Sequence, residues 1–127
     1  MVSRGITVAL ADGTSKLIED VRTGDLLENH ESGLAPRVTA IVERTLPGYS
    51  LIATAAPGLL LDSRAYMKIG GAWSHPTRRY QANLELDAVV YDVYVEGASL
   101  SYMAGGHEIA AANHAIYRAH HKSPTHK

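Results

Sequence analysis

Short apolar and β-branched runs recur along the chain at intervals of roughly 8 to 12 residues, with turn residues between them. This spacing predicts an all-β protein, because a helix needs a longer run with a period of 3.6. A set of short strands leaves many edges, so we expect the sheets to curl and pack on one another. The predicted strands are residues 6–10, 15–18, 37–45, 49–54, 59–61, 66–69, 88–95 and 99–103, and a further strand is predicted to start at Leu26-Leu27.

Asp12-Gly13 separates the first two predicted strands, and Asp-Gly in that position predicts a hairpin.

Two further segments carry weaker patterns. Residues 74–86 are polar and fit no element clearly. Residues 107–112 fit either a strand or a helical turn.

The strongest predicted strand, residues 88–95, contains a carboxylate among β-branched and aromatic residues. Alternation places Tyr91, Val93 and Val95 on one face of this strand, and Asp92 on the other. A buried charge without a partner is costly, so an inward-facing Asp92 requires a fixed partner. Asp92 is therefore a candidate site residue.

Composition narrows the class of protein. The chain has 127 residues, enough for one domain with a single core, and a net charge of -1, which argues against nucleic acid as a partner. Cysteine is absent, which excludes disulfides, thiolate metal sites and cysteine nucleophiles. No apolar run reaches the roughly 20 residues that cross a bilayer, so we expect no membrane partner and a cytoplasmic location. We expect no cofactor.

Both ends of the chain resemble the Hint (hedgehog/intein) autoprocessing domains. Residues 5–13 (GITVALADG) and 18–27 (IEDVRTGDLL) are similar to the first block of that family. Residues 90–97 (VYDVYVEG) are similar to its late strand, and residues 102–106 (YMAGG) with 112–113 (AN) to its closing block. The resemblance implies a Hint-like domain over residues 1–113, followed by a tail or short helix over 114–127.

This resemblance implies a fold and a chemistry. The expected fold is a curled, horseshoe-shaped arrangement of short strands with the two chain ends close together. In such domains a first Cys or Ser attacks the preceding carbonyl, and a Thr-x-x-His element assists that step. A terminal Asn then cyclises onto its own carbonyl with the help of a preceding His. The partners of this reaction are the flanking segments of the same polypeptide.

The front of the catalytic pattern is incomplete in this sequence. Met1 stands at the nucleophile position, and its thioether is a non-functional substitute for a thiol or hydroxyl. Ser3 carries a hydroxyl two positions further on. Thr54 matches the Thr of Thr-x-x-His, while Pro57 replaces the His and has no proton to give. We therefore expect the first processing step to be absent or weak.

The end of the pattern is also only partly retained. Asp92 matches the late-strand acid and Asn113 matches the terminal Asn. Ala112 stands where the assisting His is expected, and His114 follows where splicing proteins carry Ser, Thr or Cys. His107 is a candidate replacement for the lost His. The sequence thus predicts protein splicing or autocleavage at Asn113 that is crippled or inactive.

Two other interpretations remain open. One is a non-catalytic β domain that serves as an interaction or structural module. The other is a small barrel or sandwich that binds a ligand in its mouth, which its tyrosines would suit. Histidines in the tail have no standard ligand spacing, so no metal site is predicted; they are His114, His120, His121 and His126.

Overall fold

The computed structural model describes residues 1–29, 34–56, 59–62 and 64–117, and the side chains of these residues except those at 55, 56 and 59–62. Within these residues the chain is almost entirely β-structure, which confirms the all-β prediction. Its strands are β1 Val2–Ser3, β2 Thr7–Ala9, β3 Ser15–Leu17, β4 Arg37–Thr45, β5 Tyr49–Ala56, β6 Leu59–Asp62, β7 Met67–Ile69, β8 Ala72–Ser74, β9 Ala82–Leu86, β10 Val89–Glu96, β11 Ser101–Ala104 and β12 His107–Ala110.

These strands form two six-stranded sheets. The first has the strand order β4-β10-β1-β6-β5-β9, and the second the order β3-β2-β11-β12-β7-β8. Every strand pairing in both sheets is antiparallel. Neighbours in the sheets are often distant in sequence, so strands from the start, middle and end of the chain meet in each sheet.

The predicted Asp-Gly hairpin is confirmed as the connection between β2 and β3. The carboxylate of Asp12 accepts hydrogen bonds from the backbone N–H of Thr14 at 3.0 Å and from its hydroxyl at 2.6 Å. Gly13 has a φ of 89°, a left-handed conformation that glycine adopts without strain. The turn therefore forms from local chemistry alone, as the sequence indicates.

One apolar cluster joins the two sheets. It includes Val8 of β2, Ile109 of β12 and the β10 residues Tyr91, Val93 and Val95, which the alternation places on one face as predicted. Val90 lies on the opposite face of β10, in a smaller cluster with Leu46, Ile52 and Ala88. Because β10 carries apolar residues on both faces, it is a strand that is buried on both sides.

The undecided segments also have defined structures. Within residues 74–86 a 3₁₀ turn at Pro76–Arg78 precedes β9 (Ala82–Leu86), while residues 107–110 form β12. Every side chain of β9 except Ala82 is exposed, so the strand lacks the hydrophobic pattern that would reveal it in the sequence. No helix in the described part of the chain is long and apolar enough to cross a membrane.

Candidate functional site

The beginning of the chain lies against the centre of β10. Val2 pairs with Tyr91 in an antiparallel register, and this register places Met1 level with Asp92. Strand β4 occupies the other edge of β10 along its whole length. Met1 therefore lies at the end of β1, on the edge of β10 that β4 does not occupy.

The closing segment, residues 112 and 113, lies along the same edge of β10 beyond the end of β1. The backbone N–H of Ala112 donates a hydrogen bond to the carbonyl oxygen of Val93 at 2.8 Å. Asn113 contacts Val95, two residues further along β10. The first residue and the candidate cleavage residue are thus neighbours along one strand edge, as the resemblance implies.

A cavity of about 340 Å³ opens where these two ends meet. Its wall combines apolar groups, tyrosines and one ion pair, and no histidine of the described residues belongs to it. The lining residues are Met1, Arg44, Asp92, Val93, Tyr94, Tyr102, Ala110, Ala112 and Tyr117.

The buried carboxylate of the site has a cationic partner. Asp92 is only 6% exposed, and its Oδ2 lies 2.9 Å from Nη1 of Arg44. Arg44 belongs to β4, the strand paired with β10. The expectation that an inward-facing Asp92 requires a fixed partner is confirmed, and the ion pair holds the carboxylate at the cavity wall.

Removing the cation from this pair should destabilise the fold. We expect Arg44→Ala to lower the free energy of unfolding by about 1–2 kcal/mol, because Asp92 would remain buried without a partner. The loss stays below that of a fully buried pair, since the Arg44 side chain is 44% exposed. Urea unfolding near neutral pH measures it. Arg37→Ala is the matched control: it breaks an exposed β4–β10 pair with Glu96 and should cost about 0.5 kcal/mol or less. Equal losses in the two variants would contradict the burial argument.

Tyr102 contributes a buried hydroxyl to the site. Its side chain lies inside the protein, and within the described residues the hydroxyl has no hydrogen-bond partner. Burial raises the pKa of Tyr102 strongly, and the nearby Tyr117 and Asp92 raise it further. Tyr102 and both of these neighbours line the cavity. The Tyr102 hydroxyl stays protonated and is available as a hydrogen-bond donor.

Asn113 is held in a conformation that occupies both polar atoms of its side chain. Its Oδ1 accepts a hydrogen bond from the Val95 N–H at 3.2 Å, and its Nδ2 donates one to the Val95 carbonyl at 2.7 Å. The carboxamide thus pairs with β10 as a neighbouring peptide group would. The Nδ2 atom is therefore engaged by the Val95 carbonyl in this conformation.

The residues after Asn113 fold back onto the second sheet. The His114 N–H donates to the Ala111 carbonyl at 2.9 Å, and its ring lies 5.0 Å from that of Trp73. Further on, the Tyr117 hydroxyl accepts a hydrogen bond from the Tyr66 N–H at 3.2 Å. Residues 114–117, the start of the segment that cleavage would release, are therefore anchored to the domain, and the division between domain and tail at residue 113 stays a prediction.

Three predicted site residues lie elsewhere. Ser3 is buried in β1 opposite Val90. Thr54 lies in β5 with an exposed side chain. His107 begins β12, and its ring lies 6.3 Å from that of Tyr80. None of the three is part of the cavity wall, whereas Met1 and Asp92 are. Their catalytic roles stay predictions.

Other predictions concern residues that the structure does not describe. The replacement of the Thr-x-x-His histidine by Pro57 falls there, as do the tail histidines after His114. Among the residues that are described, no three His, Asp or Glu side chains are grouped closely enough to hold a metal ion.

Sequence reasoning did not assign a site role to Arg44, and it named Tyr102 and Tyr117 only as tyrosines that would suit the pocket of a ligand-binding domain. The register of β4 against β10 selects Arg44 as the Asp92 partner, and register is a tertiary property that no short motif carries. The tyrosines did give one signal, since an amphipathic ring suits a wall that is part apolar and part polar. That signal does not distinguish these two from Tyr91, which does not line the cavity.

Comparisons with known proteins agree with this geometry at the level of the fold. No family model matches the chain, and no curated protein does. Solved structures of inteins match it at 13–17% identity. The MchDnaB-1 intein with the change N145AA has a TM-score of 0.68 and 17% identity, over 88% of this chain and 100% of that one. The Msm DnaB1 intein splicing domain bound with zinc gives 0.64 and 16%, over 87% and 99%. The DnaB intein from Synechocystis sp. PCC 6803 gives 0.62 and 13%, over 87% and 97%.

The chain therefore has the Hint/intein fold, as the sequence resemblance predicts. Its first and closing segments lie side by side on β10, which is the arrangement that the resemblance requires. The barrel form of the ligand-binding alternative is not supported, because the described strands form two sheets with open edges rather than one closed barrel. The sandwich form stays a prediction.

Proposed function

We propose that this chain is a self-processing domain of the intein type in which cleavage after Asn113 is disabled or very slow. In the full reaction, Nδ2 of Asn113 attacks the Asn113 carbonyl carbon and forms a succinimide. The peptide bond to His114 breaks, and the His114 nitrogen leaves as a free amine after gaining a proton. The reaction partners would be the flanking segments of the same polypeptide.

The observation that carries this proposal is the position of Asn113 together with the hydrogen bonding of its side chain. It lies on the edge of β10 beside the start of the chain, where the reaction needs it, yet both its side-chain polar atoms bind Val95. Ala112, next to it, lines the cavity and has no group that can donate a proton. Loss of a general acid or base lowers a rate by about 10²- to 10⁴-fold. The chain thus retains the Asn113 side chain that would react, but it lacks the assisting His expected at position 112.

Intact-mass measurement tests the proposal. We expect the purified chain to keep its full mass during a day of incubation near neutral pH, because Ala112 cannot protonate the leaving amine as the expected His would. Asn113→Ala is the control, since it removes the only side chain that can cyclise at this bond. A product ending at residue 113 that accumulates in the wild type and is missing in the control would show an active domain.

The second candidate is a non-catalytic interaction or structural module with the same fold. An exposed apolar surface on β5 and β9 favours it, since large apolar side chains gathered on one face often mark an interaction site. Binding of a partner that is unchanged in Asn113→Ala would support this candidate.

A further inference from the structure

The segment that follows Asn113 makes two aromatic contacts with the second sheet. Its first residue, His114, meets Trp73 of β8 edge to face, with ring centroids 5.0 Å apart and 66° between the ring planes. Its fourth residue, Tyr117, meets Tyr66 in the same way, at 5.2 Å and 71°. Edge-to-face ring pairs stabilise a contact beyond the burial of their area. The two contacts therefore hold both ends of residues 114–117.

The contact at the fourth residue also has a polar part. The Tyr117 hydroxyl accepts a hydrogen bond from the Tyr66 N–H at 3.2 Å, and Tyr66 is only 5% exposed. A buried N–H group that loses its acceptor raises the free energy of the folded protein. Phenylalanine at position 117 would keep the ring contact but lose this hydrogen bond. The contact therefore distinguishes tyrosine from phenylalanine.

Residues of the domain hold both contact positions in place. The Tyr66 carbonyl accepts a hydrogen bond from the Ala110 N–H of β12 at 3.0 Å, and the Tyr66 ring lies 4.1 Å from that of His75. The ammonium group of Lys68, in β7, lies 4.7 Å from the centre of the Trp73 ring. None of these groups belongs to residues 114–117. The contact positions are thus part of the domain, and groups already held in place bind a ligand at a lower entropic cost.

We propose that Tyr66 and Trp73 form a recognition site for the peptide segment after the Asn113–His114 bond, with a preference for an aromatic ring at the first position and tyrosine at the fourth. The ligand is thus a short peptide with the pattern aromatic-x-x-Tyr. Tyr117 also lines the cavity, so binding brings the segment to the candidate reaction site. This specificity rests on the proposed function, because residues 114–117 are a downstream flank only if the bond before them is a cleavage site.

The backbone before this segment is held by other contacts. Asn113 binds the backbone of Val95, and the His114 N–H donates to the Ala111 carbonyl at 2.9 Å. These hydrogen bonds do not involve the side chains at positions 114 and 117. Substitutions of those two side chains therefore test the recognition site while the bonds that place Asn113 on β10 are retained.

Amide hydrogen exchange of the full chain, followed residue by residue by NMR, tests the fourth position. Tyr117→Phe should speed exchange of the Tyr66 amide about tenfold, as expected for the loss of one buried hydrogen bond. The Ala110 amide, bound to the Tyr66 carbonyl, should not change. Tyr49→Phe, which removes an exposed hydroxyl from the first sheet, should change neither amide. An unchanged Tyr66 amide in Tyr117→Phe, or equal acceleration at Ala110, would overturn the proposal.

Fluorescence of Trp73, the one tryptophan of the chain, tests the first position. His114→Ala removes the ring beside Trp73, so it should shift the emission to the red and increase quenching by acrylamide. His114→Phe keeps a ring there and should retain the wild-type accessibility. Both variants lose the hydrogen bond from the Ile116 N–H to His114 Nδ1, so they differ in the ring. Equal accessibility of Trp73 in the two variants would contradict the preference for an aromatic residue.

Neither measurement requires cleavage. A chain that never cleaves still gives both readouts, so failure of the proposed function does not hide the recognition site. A chain that cleaves, but whose Tyr66 amide does not respond to Tyr117→Phe, overturns the recognition site and leaves the proposed function standing.

Discussion

Replacing Ala112 by histidine should produce cleavage of the bond between Asn113 and His114, with a gain of about 10²- to 10⁴-fold over the wild type. The imidazole would project into the cavity that Ala112 lines, which has room for it at about 340 Å³. There it can protonate the departing amine of His114. The rate at which the fragment 1–113 appears by mass spectrometry measures the gain.

Two controls separate proton transfer from simple filling of the cavity. Ala112→Gln adds a polar side chain of similar size that cannot transfer a proton at neutral pH, and it should not raise the rate. Ala112→His combined with Asn113→Ala should stop cleavage altogether. A rate that stays at the wild-type value in Ala112→His would mean that the hydrogen bonds between Asn113 and Val95, and not the missing imidazole, limit the reaction.

The buried hydroxyl of Tyr102 should make the protein lose stability in alkali. Burial raises the pKa of Tyr102 in the folded state far above that of the unfolded chain, so folding favours the protonated form. This stability is complete below the unfolded pKa of about 10 and decreases as the pH rises above it, by about 1.4 kcal/mol per pH unit for one such group. Tyr102→Phe removes that contribution, and urea unfolding between about pH 7 and pH 12 measures the change in slope.

Tyr91 provides the matched comparison. Burial, followed by the hydrogen bond to Glu43, raises the pKa of Tyr91 as well, but its hydroxyl donates that bond at 2.7 Å. Near neutral pH, Tyr91→Phe should therefore cost about 1 kcal/mol, whereas Tyr102→Phe should be neutral or stabilising by up to about 1 kcal/mol, since it removes a buried hydroxyl that has no partner among the described residues. A loss of more than 1 kcal/mol in Tyr102→Phe would show that this hydroxyl has a partner.

Local chemistry explains which strands could be predicted from the sequence. The predicted strand 37–45 coincides with β4, and the Asp-Gly turn before β3 forms as expected. In both cases a pattern within a few residues determines the structure. β9 was not predicted because its exposed side chains lack the apolar alternation of a half-buried strand, and its partner β5 lies about 30 residues earlier.

The site required information that is not local. The sequence identified Asp92 and Asn113, but not that Arg44 would hold the first or that the Val95 backbone would hold the second. Both contacts depend on the register of strands that are distant in the chain. The roles of Thr54, Ser3 and His107 came from the resemblance alone, and none of them lies at the cavity wall.

The common edge of β10 has a consequence for any host polypeptide. Residue 1 lies level with Asp92, and the closing segment meets Val93 one residue further along. Sequence added before the first residue would therefore pass the same spot on the surface as the chain does at residues 112 and 113. A domain whose entrance and exit coincide can be inserted into a loop of another folded protein with little distortion of that protein.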